Sequence, residues 1–229
     1  MNAGRGELPA LVADLAAGRL TGGAPRAYVV LLQEAVDMDG DPAPTLGRVA
    51  AFRLASFFSP VREFDGRVRG NAILASIPLT DPHVIPLPRE RQPRAAVVGA
   101  VSAGGEALFV VSAHLENRVS WLRGGLFSDG ARARQATALI RALPPAAHGV
   151  VGGDMNTWLG PTEPAWKTLL TRFPDTPMPS VPEATFRKRL ALDHLFFDLP
   201  ENWRVSRRVL SNAYGSDHHP VLGELFFAP

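Results

Sequence analysis

The chain has 229 residues, 46% of them hydrophobic, and a formal charge of only +2 at neutral pH. That is enough apolar material for one large domain with its own core, and the near-balanced charge shows no dense basic field of the kind that announces a nucleic-acid binder. No apolar run reaches the about 18 residues of a membrane span, the opening "MNAGRGELPALVADLAAG" puts acids where a secretory signal needs an apolar stretch, and a cysteine-free chain has neither disulfides nor thiolate metal sites.

The cytoplasm is therefore the default compartment. Any metal must be held by oxygen or imidazole, which favours Mg²⁺ or Mn²⁺ over structural zinc. Leu8, Leu11, Val12 and Leu15 fall at helical spacing and predict an amphipathic helix over about residues 7–18. After a Gly/Pro turn, residues 26–33 read as a strand, residues 43–55 as a helix, and "NAILASI" as a second strand. The run "RAAVVGAVSAGGEALFVVSAHL" predicts a hairpin turning at Gly104 and Gly105. Ala136, Leu139, Ile140 and Leu143 share one face of a helix over residues 131–143, and "HGVVGGD" follows as a strand. A short helix begins near Thr162 with Glu163 and Pro164 in its first turn. Proline-rich "FPDTPMPSVPEATF" is an irregular loop, and "LDHLFFDL", "WRVSRRVL" and "HPVLGELFF" close the chain as strands. Without a repeat or a linker, residues 1–229 read as a single α/β domain with more strand than helix.

An acid or a histidine recurs where these apolar runs stop. Such residues collect at a sheet rim, where unpaired burial is costly unless they hold a metal or do chemistry. Glu34 ends "AYVVLLQE" and can bind a hard cation with Gln33 supporting it, or stand as a solvated strand-end acid. In "GGDMN", Asp154 can orient or deprotonate a water and Asn156 can donate to a phosphate oxygen; equally, the two can satisfy their own backbone in a turn. In "SDHHP", Asp217 and His218 are adjacent, so both serve one site only at an irregular strand mouth, which Gly215 and Ser216 allow. Asp193 can hold His218 in orientation, as the acid of a catalytic triad does. His114 and Asn71 each read alone as a strand-edge polar residue. His194 and His219 are expected to pack or face solvent, and Trp121, Leu122, Leu126 and Phe127 form either an apolar lip or ordinary packing.

Taken together, "LLQE", "GNAILAS", "SAHL", "GGDMN", "LDHLF" and "GSDHHP", spread from Gln33 to Leu222, occur in the order found in the endonuclease/exonuclease/phosphatase family. That family includes deoxyribonuclease I, abasic-site endonucleases, neutral sphingomyelinases and inositol-polyphosphate 5-phosphatases. The resemblance implies a four-layer α/β sandwich, two mixed β-sheets packed face to face between helices, and Mg²⁺- or Mn²⁺-dependent cleavage of a phosphate ester. It implies that Glu34 binds the metal with Asp217 nearby, that Asp154 activates water, and that Asn156 and Asn71 bind substrate. It further implies that His218, oriented by Asp193, and His114 stabilise the transition state. Family members open with a core strand ending in a metal-site asparagine. Asn2 resembles that asparagine, with the strand before it missing from this sequence, as from a late start site or a fragment.

The expected partner is a phosphate-ester substrate: nucleic acid, phospholipid or small phosphoester. Arg118, Arg123, Arg172, Arg187, Lys188 and Arg189 could meet successive phosphates of a nucleic acid, whereas "WLRGGLF" would suit a lipid surface. No protein partner is implied, and a monomer is expected. The competing reading is a catalytically silent binding module on the same fold.

Overall fold

The computed structural model describes residues 6–36, 44–64, 66–117, 129–179, 181 and 183–227. Successive side chains of a strand point to opposite faces, and here each face of each central strand meets a different layer. Strands β1 (Val29–Ala35), β2 (Ala55–Phe64) and β3 (Arg67–Ala75) form an antiparallel sheet in the order β1-β3-β2. Strands β4 (Thr80–Leu87), β5 (Arg94–Ala103), β6 (Glu106–His114), β7 (Gly149–Asp154) and β8 (Asp193–Asp198) form a second sheet in sequential order. Only β6 and β7 run parallel in it; they are joined through α2 (Asp129–Ala142), the kind of crossover parallel strands need. Among the described residues the second sheet is thus mixed and the first antiparallel, two sheets with flanking helices as expected.

Val30, Leu32, Ala72 and Leu74 pack outward on Leu8, Leu11, Val12 and Leu15 of α1 (Leu8–Ala16). Their neighbours Val29, Leu31, Ile73 and Ala75 point the other way, onto Val97, Val101, Leu108 and Val110 of the second sheet. On that sheet's far face Val98, Phe109, Val111 and Phe196 meet Leu139 of α2 and Leu169 and Phe173 at the end of α3 (Pro164–Arg172). Helix, sheet, sheet and helices make four layers, each joint sealed by side chains whose full burial contributes about 1.5–3 kcal/mol apiece. Strands β9 (Arg204–Val209) and β10 (Val221–Phe226) pair with each other as a separate ribbon. Gly223 of this ribbon lies so close to Phe197 that a Cβ there would sit 2.7 Å from the ring.

The sequence reading departs from this in three places. Residues 43–55 hold only a 3-10 turn, Gly47–Phe52, before β2 begins. β2 and β4 give no periodic signal because both are edge strands carrying proline, Pro60 at a bulge and Pro82 and Pro86 in β4. No helix among the described residues is long and apolar enough to cross a membrane.

Candidate active site

The register of the second sheet assembles most of the site. His114 pairs with Asp154 across the parallel β6–β7 ladder, and Asp154 pairs with Asp193 across the antiparallel β7–β8 ladder. The ends of β6 and β7 and the start of β8 therefore share one rim, with His114, Asp154 and Asp193 side by side. Exposures of 7%, 4% and 5% rule out solvated strand-end residues. His114 Nε2 lies 3.5 Å from Asp154 Oδ2. Gly152 and Gly153 make this closeness possible: a Cβ on Gly153, whose φ is +148°, would strike the Ala113 carbonyl at 1.9 Å, and one on Gly152 would strike Leu31 of the facing sheet at 2.7 Å.

His218 reaches the rim from the loop before β10. Tyr214 and Gly215 turn the chain with φ of +49° and +73°, and the Tyr214 hydroxyl donates to Asp14 of α1 at 2.7 Å. The loop also pairs with residues 185–190: the amide of His219 donates to the Thr185 carbonyl, and the Phe186 ring lies 4.8 Å from the His218 ring. His218 Nδ1 donates to Asp193 Oδ2 at 2.7 Å, and its Nε2 faces Asp154 Oδ2 at 4.0 Å. Among the described residues, Asp154, Asp193 and His218 are the group of three whose potential ligand atoms all lie within 4.8 Å.

Burial, reinforced by the Asp193 charge and opposed by His218, lifts the Asp154 carboxyl to about 7. Burial also opposes charge on His218, but the Asp193 hydrogen bond and the charges of Asp193, Asp154 and Asp217 outweigh it and raise the imidazolium to about 9. His114 is driven well below its usual value by burial and by the positive Arg94 and Arg62. Two histidines on one rim are thus held in opposite charge states, His218 as cation and His114 neutral.

The turn reading of "GGDMN" also holds at Asp154, whose Oδ1 accepts the Asn156 amide at 3.0 Å while Oδ2 faces the two histidines. Asn156 has a φ of +50°, which asparagine tolerates, and donates Nδ2 to the Leu115 carbonyl at 3.1 Å; the second N–H of that amide is a further donor.

Glu34 belongs to a neighbouring recess. A bulge between Leu32 and Ala35 gives it a φ of +54°. Its Oε1 accepts Arg62 Nη2 at 3.0 Å and its Oε2 accepts Arg69 Nη1 at 2.5 Å. With Asn71, Arg94 and His114 these residues line a small shared recess. Asn71 donates to the Ala95 carbonyl at 2.7 Å, joining the two sheets beside it. Gln33 donates its amide to Ser112 Oγ at 2.9 Å and so ties β1 to β6. Arg94 is 5% exposed, 4.0 Å from the wholly buried Glu116, and its Nε has no hydrogen-bond partner among the described residues.

Asp217 is half-buried and lies outside the three-residue group; its carbonyl accepts the Arg187 amide at 3.2 Å. His194 packs edge-on to Trp166 and bonds Thr157 Oγ1 at 2.7 Å, and His219 Nδ1 donates to the Leu210 carbonyl. Arg172 binds Asp198 and the Pro144 and Ala147 carbonyls at the far end of β8, away from this rim. Asn2, Arg118, Trp121, Leu122, Arg123, Leu126 and Phe127 lie outside the described residues.

Sequence reading passed over Arg62, Arg69, Arg94 and Thr185, whose Oγ1 accepts the Asp193 amide at 3.0 Å. The two-residue strand period from Asn71 back to Arg69 was a usable signal; nothing local marks the other three.

A divalent cation was tested against these donors. A hard cation needs carboxylate oxygens with free lone pairs. Asp193 Oδ1 is buried with no hydrogen-bond partner among the described residues. Each Glu34 oxygen takes one guanidinium and keeps a second lone pair. The donor set fits Mg²⁺ or Mn²⁺.

Residues 2–218 match the sequence model of the endonuclease/exonuclease/phosphatase family. No curated protein sequence is matched. Among solved structures, an endonuclease/exonuclease/phosphatase family protein from Leptotrichia buccalis superposes with a TM-score of 0.69 at 14% identity, over 99% of this chain and 97% of that one. An endonuclease/exonuclease/phosphatase from Beutenbergia cavernae gives 0.68 at 18% identity, over 99% and 69%. A beta toxin variant from Staphylococcus aureus with bound magnesium ions gives 0.60 at 17% identity, over 87% and 86%.

Proposed function

Since the chain belongs to the endonuclease/exonuclease/phosphatase family, we propose that it is a metal-dependent hydrolase of phosphate esters, acting as one domain by in-line attack of a water. The observation that supports this most is the buried rim where Asp154 faces His114 and His218 while Asp193 grips His218. A binding module has no need for a carboxyl lifted to about 7 beside an imidazolium raised to about 9.

Asp154 Oδ2 is the base that orients the attacking water and takes its proton. His218 presents Nε2–H to the charge that builds on the phosphorus oxygens, and Asp193 keeps that proton in place by fixing the other ring nitrogen. Neutral His114 and the second N–H of Asn156 add donors without adding charge. Glu34 would hold Mg²⁺ or Mn²⁺, with Asp217 and Asn2 completing the set that the family resemblance implies and the Asp154–Asp193 pair offering a second position. Bound there, the ion supplies Lewis-acid stabilisation of the phosphate and the leaving oxygen. Asn71, bonded across the sheets, positions the recess wall beside the substrate.

The test is a panel of plasmid DNA, abasic-site duplex, sphingomyelin and inositol phosphates, each with Mg²⁺ and with chelator. On whichever substrate turns over, Asp154→Ala and His218→Ala are expected to lower kcat at least ~100-fold. Near-wild-type rates in both variants would sink the assignment. No metal-dependent turnover, together with no calorimetric Mg²⁺ or Mn²⁺ binding, would favour the silent module.

A further inference from the structure

We propose that Arg62, Arg69 and Arg94 form a subsite for a second phosphate group of the substrate, next to the phosphate that is cut. This rests on the hydrolase reading above, and it assigns the substrate class: an ester carrying two phosphates rather than one.

The recess containing the three arginines is distinct from the attacking group. His114 is shared, whereas Asp154, Asp193 and His218 do not line it. Three guanidinium groups meet two carboxylates there. Arg62 and Arg69 both hold Glu34, and Arg94 stands 4.0 Å from Glu116. Glu116 is already satisfied by neutral donors: the amides of Arg91, Gln92 and Asn117 and the Gln92 side chain, at 3.0–3.3 Å. Among the described side chains of this cluster the guanidinium groups outnumber the carboxylates three to two. Arg94 is the decisive member. A buried N–H without an acceptor is costly, and its Nε is such a donor on the wall of a recess. An arginine fork matches the oxygens of a phosphate. Position supports the same ligand, because a group seated here touches His114, which on its other side faces Asp154. Two phosphates on one molecule would reach both places.

The test begins with calorimetric titration of the metal-free protein by inorganic phosphate and by pyrophosphate. Wild type is expected to bind both, and Arg94→Met to weaken binding at least ~10-fold, as loss of a charge-assisted hydrogen bond does. Arg94 is buried, so Arg62→Met, checked for folding by circular dichroism, serves as the second variant and should weaken binding similarly. Arg141→Met, an exposed arginine in the last turn of α2 outside the recess, should leave binding within about twofold. Absence of phosphate binding in wild type, or unchanged affinity in both arginine variants, overturns the subsite.

Turnover supplies an independent arm. The p-nitrophenyl ester of thymidine 5′-phosphate is compared with the same ester bearing a 3′-phosphate. The added phosphate should raise kcat/KM at least ~10-fold in wild type, with the gain lost in Arg62→Met; a gain that survives in the variant overturns the proposal. A methyl ester of the 3′-phosphate separates the sources: an equal gain identifies the next phosphate of a strand, and a lost gain identifies a terminal monoester. Hydrolysis of neither ester and of nothing in the substrate panel, alongside intact pyrophosphate binding, would sink the hydrolase reading and support the subsite by itself.

Discussion

Asp193 grips His218 and supplies negative charge beside it, whereas His114 is buried next to the positive Arg94 and Arg62. His218 is raised to about 9 through its Asp193 partner, so its imidazolium persists through neutral pH and is lost as pH rises through that value. If that cation works in turnover, kcat/KM must fall on the alkaline side near pH 9. In Asp193→Asn the ring keeps a hydrogen-bond acceptor but loses the charge, and the alkaline limb should move at least about one unit toward the ordinary value near 6.5. A pH–rate profile whose limb stays in place would remove Asp193 from this role. His194 makes the opposite case. Burial and the nearby Arg207 depress it to about 3, so as pH falls below 6.5 the unfolded chain takes up a proton that the native state refuses. Its contribution is present above pH 6.5 and is lost as pH falls toward 3. Between pH 7 and pH 5 the wild type should therefore lose about 2 kcal/mol more stability than His194→Phe, read from urea titrations at the two pH values. Both histidines follow an aspartate in the sequence, and only burial and partners tell them apart. That is why the letters "DH" could nominate these residues but not assign them.

The elements are joined by a buried ion pair that no sequence pattern announced. Arg132 of α2 and Glu163 at the start of α3 are both fully buried, and the guanidinium grips both carboxylate oxygens at 2.8 and 2.5 Å. Arg132 also reaches the Glu116 carbonyl, so the same joint braces the segment that carries the acid facing Arg94. Arg132→Met leaves Glu163 buried without its partner and should lower stability by about 3–5 kcal/mol in chemical denaturation. A loss under about 1 kcal/mol would show that apolar contacts alone hold α2 to α3. From sequence, Arg132 sits among the arginines of "ARARQ" and reads as one more solvated cation. The helices themselves were legible: α2 from Ala136, Leu139, Ile140 and Leu143 at helical spacing, and α3 from Glu163 and Pro164 in its first turn. Arg62 was hidden for a related reason: β2 breaks its alternation at Pro60, so nothing told that this arginine faces inward, whereas Arg69 could have been reached by the two-residue period from Asn71.

At the scale of the molecule, the apolar runs indicated an α/β domain and the family resemblance implied its layer order, but neither told how the two sheets would meet. Their joint is apolar for most of its extent and polar beside the site. Ser112 accepts from Gln33 at 2.9 Å and donates to the Leu32 carbonyl at 2.7 Å, all of it buried between the sheets. Glu34 stands on one sheet and His114, Asp154 and Asp193 on the other, so a cation bound between them acts on the native state alone. Mg²⁺ at a hundredfold excess over its Kd should add about 2.7 kcal/mol of stability. The resulting rise in Tm should be reversed by chelator and absent in Glu34→Ala. An identical melting curve with and without Mg²⁺ in wild type would argue against a site between the sheets. The paired strands β2 and β3 contribute two of the three recess arginines, while none of the attacking residues lies within them. In the proposed reading, two of the three phosphate-binding arginines therefore sit on a stretch of chain separate from the attacking residues. A lineage can redraft that one stretch, or an experimenter can graft another in its place, and change which molecules are accepted while the apparatus of cleavage is inherited intact.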